Sequence, residues 1–381
     1  MIKMLVSLRA LVIAVTCVVA TALPAVSGAT AFGDVANSMQ PGTFAAVSAM
    51  NGWNNGGILT PTDVSGCTTS DYITEYADKA AWDPVGQHVY FVGQVHGNCY
   101  AGRFVIYTDS NSTWSQGPWP SGICQSGTAS SPCFSHAYGH NTVDPTTGDF
   151  YFRQAYTTQF FRYRNGAWSS LPSPATQSSQ CCGALEYFKE MNRLLYLDGD
   201  WGLWAFNPAN NSWTQLANTH VANGTPGLPN LDMPSTIVFA VYDPVQQFVL
   251  FGGGSNLYKL SATGTITTMR APPVLLGVTN AVTSVDPVGG KYIVLSGSSM
   301  YQYDPSTDTW TQLAIPLPSV LTAMGGVGDG LVAADVTTYG VIMYMKYDGT
   351  SSQVYLYKHS PSAPVQPAPP KPDPPGNVTV Q

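Results

Sequence analysis

His96, His136 and His140 are three of the six histidines in the chain. They sit in two segments, Gln94-Val-His-Gly-Asn-Cys-Tyr100 followed by Arg103, and Cys133-Phe-Ser-His-Ala-Tyr-Gly-His-Asn141 followed by Arg153, Gln154 and Tyr156. An imidazole near its ordinary pKa can take a proton at neutral pH, a phenol can return one, and a guanidinium can hold a carboxylate. Those parts suit β-elimination beside a carboxylate, as in a lyase acting on a uronic-acid-containing glycan. Arg153 would neutralise the carboxylate, His136 or His140 would take the carbon-bound proton, and Tyr138 or Tyr156 would protonate the leaving oxygen. His96, Arg103, Asp198, Asp200 and Trp201 would hold the substrate, since an aromatic face beside Arg and carboxylates suits a sugar. Plainer roles compete: His136 and His140 buttressing a cysteine-stapled loop, and Arg153 pairing with Asp198 or Glu186 across neighbouring elements. His88, His220 and His359 read as ordinary hydrogen-bonding residues.

The elements that would position these groups show in a degenerate unit that recurs about six times, at intervals of roughly 43 to 60 residues. Each unit has an Asp-Pro or equivalent turn, two aromatic-rich strands, and an Asn/Asp/Ser turn that often ends in Trp. The units open near Ala81, Asn141, Ala184, Phe239, Thr283 and Leu331. Short strands and turns at that period predict an all-β propeller of six four-stranded blades, or seven if Asn51 to Asp71 holds another strand pair. The last unit stops at Lys358 without a Trp-bearing outer strand. Gly42 to Ser48 has the rhythm of the outer-strand segments Asn211 to Leu216 and Asp308 to Leu313, so the N-terminal strand is predicted to complete the last blade. That pairing would remove two exposed edges.

Blade topology sorts the residues before any coordinates. Turns joining the first strand to the second and the third to the fourth lie on one face. The loops between second and third strands, with the blade-to-blade connections, lie on the other. The Asp turns at Asp83, Asp144, Asp243 and Asp286 fall on the first face and read as turn chemistry. Trp114, Trp168, Trp213 and Trp310 recur with the repeat and read as blade packing. All the candidate site residues fall on the second face of the first three blades.

Charged residues are only 10% of the chain, against 44% hydrophobic and 12% aromatic, with 37 Gly and 29 Pro. This is the balance of a turn-rich β protein in which helix is almost absent. The formal net charge of −7, with 15 scattered basic residues, argues against nucleic acid and against anionic membrane surfaces. Lys3 and Arg9, the apolar run Ala10 to Pro24 and small residues to Ala29 follow the order of a signal peptide (residues 1–29), and the run is shorter than the ~20 residues of a bilayer span. The chain is therefore expected to be secreted, starting near Ala29 or Thr30, with no membrane partner afterwards. Six cysteines remain, and an even number in an exported chain suggests disulfides. Cys124–Cys133 is the first pairing expected and Cys67–Cys99 the next, leaving Cys181 and Cys182 as a vicinal bridge or as half-cystines reaching elsewhere. The Pro-rich segment 361–381 reads as an extended linker or tail, with Gly376 to Gln381 like the opening strand of a further module.

The segments Tyr303-Asp-Pro-Ser-Thr-Asp-Thr-Trp310 and Phe206-Asn-Pro-Ala-Asn-Asn-Ser-Trp213, with Gly252-Gly253, resemble kelch-type and galactose-oxidase-like propellers over about residues 42–360. The chain departs from the kelch pattern in that only one unit has a clear Gly-Gly pair. Secreted propeller lyases, including those acting on ulvan, look similar in their use of His, Tyr and Arg, although no motif matches residue by residue. A galactose-oxidase-like resemblance implies a copper site of His and Tyr. His136 and His140 are four apart on a loop, however, and no Tyr-Cys pair stands out as a radical cofactor. No cofactor is required by the lyase reading; a zinc or calcium ion, if held, would fall to His96, His136 and His140. A fold of this kind hosts enzymes, lectins and scaffolds alike. The alternative to the lyase is thus a non-catalytic glycan- or protein-binding propeller tethered through its tail, and a metal-dependent oxidase is the minor one. There is no G-x-S-x-G and no G-x-x-x-x-G-K-[ST].

Overall fold

The computed structural model describes residues 30–361 apart from 49, 54–56, 96–98, 100, 122–135, 156–158, 175–181, 220–224, 235–237, 278–279, 322–329 and 350–351. Six four-stranded antiparallel sheets stand as blades. From the axis outward, blade 1 is Ala81–Asp83, His88–Gln94, Gly102–Thr108 and Thr113–Gln116; blade 2 is Asn141–Val143, Phe150–Arg153, Phe160–Arg164 and Ala167–Leu171. Blade 3 is Ala184–Phe188, Arg193–Asp198, Gly202–Asn207 and Ser212–Ala217, and blade 4 is Phe239–Asp243, Phe248–Gly253, Asn256–Ser261 and Ile266–Thr268. Blade 5 is Val282–Val285, Tyr292–Ser296, Ser299–Asp304 and Thr309–Leu313, and blade 6 is Leu331–Val336, Val341–Tyr347, Ser352–Lys358 and, outermost, Thr43–Val47. Each innermost strand touches the next, and the sixth touches the first, so the ring is closed. The propeller expected from the repeat is the observed fold.

Burial along the strands follows from this arrangement. The second strands are sandwiched between neighbouring blades, and Arg193–Asp198, Phe248–Gly253 and Val341–Tyr347 are buried nearly throughout. They accordingly read as continuous apolar runs rather than as alternating patterns. Outer strands such as Ala167–Leu171 and Thr309–Leu313 are largely open to solvent.

The predicted closure is present. Thr43 pairs with Lys358 and the register runs to Val47 opposite Val354, while the Phe44 ring packs 4.6 Å from that of Tyr357. A short helix, Ala31–Ser38, precedes the closing strand, and Thr30 caps it by accepting from Gly33 N. Its Phe32 is fully buried and stacks on Tyr107 at 4.3 Å, so the helix lies over the seam between blades 6 and 1.

Among the described residues Asn51 to Asp71 forms turns and a single bridge, Asn51 to Thr113, and the sheets number six. The segment is held to blade 1 instead. Cys67 is bonded to Cys99, and the Arg103 guanidinium donates to Asp63 and to the carbonyls of Gly57 and Ile58. The disulfide links residues 32 apart; loop-closure entropy gives it about 3–4 kcal/mol. A Cys67→Ala/Cys99→Ala variant should therefore unfold at clearly lower urea, and an unchanged midpoint would show that the segment contributes nothing to the fold. Cys182 is also disulfide-bonded; the Cys124–Cys133 expectation lies outside the described residues, as does Cys181.

Turn and tryptophan chemistry repeat as the sequence suggested. Asp83, Asp144, Asp243 and Asp286 are buried and each accepts from the amide two residues on, at Val85, Thr146, Val245 and Val288. The indoles do more than fill space. Trp168, Trp213 and Trp310 donate to the carbonyls of Pro118, Pro172 and Arg270, each in the chain leaving the preceding blade. Every one of these hydrogen bonds staples two blades at their outer edges.

Candidate functional site

Arg153 ends the second strand of blade 2, and His140 closes the connection that enters the same blade. The two are locked by the backbone: Arg153 N donates to His140 O at 3.0 Å, and the His140 ring Nδ1 lies 3.0 Å from Arg153 O. A carbonyl can only accept, so Nδ1 carries the proton and Nε2 presents its lone pair. That Nε2 is buried without a hydrogen-bond partner among the described residues.

Arg153 has no accessible surface. Among the described residues none of its three guanidinium nitrogens has a hydrogen-bond acceptor; its charge lies 4.2 Å over the ring of Tyr196. The two carboxylates offered as its partners are otherwise engaged. Asp198 accepts from Tyr196 OH at 3.0 Å and from Asp200 N at 3.0 Å. Glu186 takes Lys79 Nζ at 2.8 Å and Thr142 Oγ1 at 2.9 Å. The structural pairing of Arg153 with Asp198 or Glu186 is therefore replaced by a cation–π contact with Tyr196. Such a contact is worth about 2 kcal/mol in a desolvated site.

Titration follows this geometry. Burial, reinforced by the Arg153 charge, pushes His140 down to about 3. Burial pushes Asp198 up, against the amide of Asp200, the Tyr196 hydroxyl and the Arg153 charge. In the unfolded chain His140 would return to about 6.5, so between about pH 3 and 6.5 the unfolded state binds a proton the folded state refuses. Stability must fall as the pH drops through that window. His140→Gln should flatten this acid limb in urea midpoints taken from pH 4 to pH 7, and a limb of unchanged slope would show that another group produces it.

His136 lies beside this pair. Its ring stacks on Tyr76 at 4.3 Å and meets the edge of Tyr138 at 5.1 Å. The amides of Ala137 and Tyr138 both donate to Tyr76 O, and Tyr138 is nearly fully buried beside Cys182. Asp200 and Trp201 sit half-buried at the hairpin that follows Asp198. The second face thus gathers His136, Tyr138, His140, Arg153 and Asp198. Arg103 is elsewhere, with its donors on the Asn51–Asp71 segment, and His96 and Tyr156 lie outside the described residues. Tyr76 and Tyr196 join the site without any sequence signal, because their neighbours belong to other blades. Among the described residues no group of three or more His, Cys, Asp or Glu could hold a metal ion; the proposed third ligand, His96, is not among them.

A second concavity lies on the axis. A cavity of about 340 Å³ is lined by residues of all six blades, including Lys79, Glu186 and Asp335. Its mouth is formed by the Asp-Pro turns, which places it on the first face.

No protein-family model matches the chain, and no curated protein matches it in sequence. Solved structures do match. A structural-genomics protein of unknown function from Bacteroides thetaiotaomicron superposes with a TM-score of 0.50 at 11% identity, over 83% of this chain and 75% of that one. An auxiliary nutrient binding protein from Bacteroides ovatus gives a TM-score of 0.50 at 11% identity, covering 74% and 69%. A fungal alcohol oxidase of the AA5 family, in complex with copper, gives 0.42 at 11%, covering 73% of each chain. At these identities the likeness is one of fold: the chain is a six-bladed β-propeller protein. No helix among its described residues is long and apolar enough to cross a membrane, and its disulfides suit an oxidising compartment.

Proposed function

We propose that the protein acts outside the cell on an acidic polysaccharide, with Arg153 receiving a uronate carboxylate, and that it cleaves the chain by β-elimination. One observation carries this reading: a fully buried guanidinium without a single hydrogen-bond acceptor among the described residues. An uncompensated buried charge costs several kcal/mol, and an anion supplied from outside is what would repay it.

In this reading Arg153 spreads the negative charge that develops on the carboxylate as the adjacent carbon loses its proton. His140 takes that proton on Nε2. The electron pair forms the carbon–carbon double bond, the neighbouring carbon–oxygen bond breaks, and Tyr138 protonates the departing oxygen. The arrangement would be self-adjusting. One cause of the low His140 pKa is the Arg153 charge, and a bound carboxylate offsets it, so the ring gains basicity only when substrate is present. Because Arg153 has no accessible surface, the carboxylate must displace what covers it.

A second reading, a glycan-binding propeller without chemistry, is favoured by the half-buried Trp201 and Asp200 at the rim, which offer a sugar contact that does not involve the buried pair. Incubation with a panel of acidic and neutral polysaccharides separates the two, following ultraviolet absorbance for unsaturated uronate and reducing ends in parallel. Both signals should rise together with one acidic glycan, and His140→Ala should abolish both. Reducing ends alone would mean hydrolysis, and saturable binding with no product would establish the second reading.

A further inference from the structure

We propose that the axial cavity on the first face is a binding site for a small organic cation, ammonium groups at the ends of a short hydrocarbon body, held by Asp335 and Glu190. At about 340 Å³ the cavity is within the range of small-molecule sites, about 300–1,000 Å³. Its mouth carries Pro84, Pro145 and Pro244, an apolar collar contributed by three of the Asp-Pro turns.

The charge inside is unbalanced toward acid. Lys79 is spent: its Nζ donates to Glu186 Oε2 and to Leu185 O, both at 2.8 Å. Glu190 accepts the Tyr242 hydroxyl on Oε1 at 2.9 Å, while its Oε2 is buried without a partner among the described residues. Asp335 reaches from the inner strand of blade 6 to that of blade 5, where Oδ1 accepts from Val285 N at 3.0 Å. Neither acid enters an ion pair among the described residues, and Lys189 is exposed at the mouth. A neutral polyol could hydrogen-bond to these oxygens but would leave the charge uncompensated. An ammonium group with a hydrocarbon tail meets both the acids and the collar.

Asp335 also supplies a signature. Burial raises it to about 8, with Glu186 and Asp286 adding to the rise, and Lys79 and the Val285 amide opposing it. Tyr292 and Tyr344 are the other titratable groups coupled to it. A cation arriving beside it favours the ionised form, so binding should release a proton below about pH 8. Affinity should then tighten about tenfold per pH unit from pH 6 toward pH 8 and flatten above.

The test is calorimetric titration of the full chain with 1,5-diaminopentane between pH 6 and 8.5, in two buffers of different ionisation enthalpy, with 1,5-pentanediol as the neutral isostere. The expected result is diamine binding with buffer-dependent heat below pH 8, and none for the diol. Asp335→Asn keeps an acceptor for Val285 N and should weaken binding at pH 8.5 at least about tenfold and abolish its pH dependence. Glu190→Gln, which keeps the bond to Tyr242, should also weaken it, and it decides the matter if the Asp335 variant does not fold. Arg153→Met should leave diamine binding unchanged, so this site stands or falls separately from the second face. Absence of binding at pH 8.5, equal binding of the diol, or unchanged affinity in a folded variant would overturn the proposal.

Discussion

Arg153→Met should make the protein more stable and inactive. Burying an uncompensated charge costs about 3–5 kcal/mol, and the face of Tyr196 returns about 2 of that. Methionine can fill the same space without the charge, so the variant should gain about 1–3 kcal/mol, seen as a higher urea midpoint and a melting temperature raised by a few degrees. Losing the hydrogen-bond donor to a buried carboxylate removes about 2–5 kcal/mol of transition-state binding, a fall of roughly 30- to 5,000-fold in kcat/KM. Arg153→Lys should fall between, since an ammonium keeps the charge but not the two-pronged geometry. Opposite signs in stability and activity are the informative outcome. A less stable variant with full activity would mean that Arg153 holds the fold together and that the substrate reading is wrong.

Removing the closing strand should have the largest effect on folding. A chain beginning at Ser48 loses the five pairs from Thr43–Lys358 to Val47–Val354, the Phe44–Tyr357 contact, the Val47 side chain, which is 1% exposed, and the helix over Tyr107. It also leaves the edge of Ser352–Lys358 open to pairing with other chains. Burial of Val47 alone is worth about 1.5–3 kcal/mol and the aromatic pair about 0.5–1.5 kcal/mol beyond its area. The total is a large share of a typical 5–15 kcal/mol, so the shortened chain should aggregate rather than yield a soluble monomer. Val47→Asp should reproduce most of the loss, and Ser48→Asp, on an exposed residue beside it, should not. Soluble yield, gel-filtration profile and urea midpoint of the three variants provide the measurement. A stable monomer lacking residues 1–47 would show that five and three-quarter blades close unaided.

The architecture was legible because its causes are local. Asp turns, aromatic-rich strands and the outer-strand Trp repeat with the blade, and each is set within one unit by local chemistry. The missing fourth strand after Lys358 and the orphan strand at Gly42 to Ser48 announced the closure, since each supplies the pairing partner that the other lacks. The doubt over Asn51 to Asp71 was not resolvable from composition, because what holds that segment is Cys99, in a loop of blade 1, and Arg103, in the strand after it, both well downstream. The helix Ala31–Ser38 also escaped notice: its stability comes from packing on Tyr107 and on blade 6 rather than from a pattern that eight residues can display.

The candidate site was half legible. The concentration of His136, Tyr138, His140 and Arg153 on one face followed from counting strands and turns along the chain. That Arg153 has no acceptor, that Asp198 answers to Tyr196, that His136 lies on Tyr76 and that Lys79 is bound to Glu186 did not. Asp198 and Tyr196 are two apart on one strand, but the other contacts join residues up to 107 apart and meet only when the blades pack together. The sequence by itself determined the kind of unit and its faces, through turn chemistry and the recurrence of aromatic-rich strands, and left the number between six and seven. Only the tertiary structure decided which charges are compensated, because compensation inside a propeller is settled between blades, where no local pattern reaches.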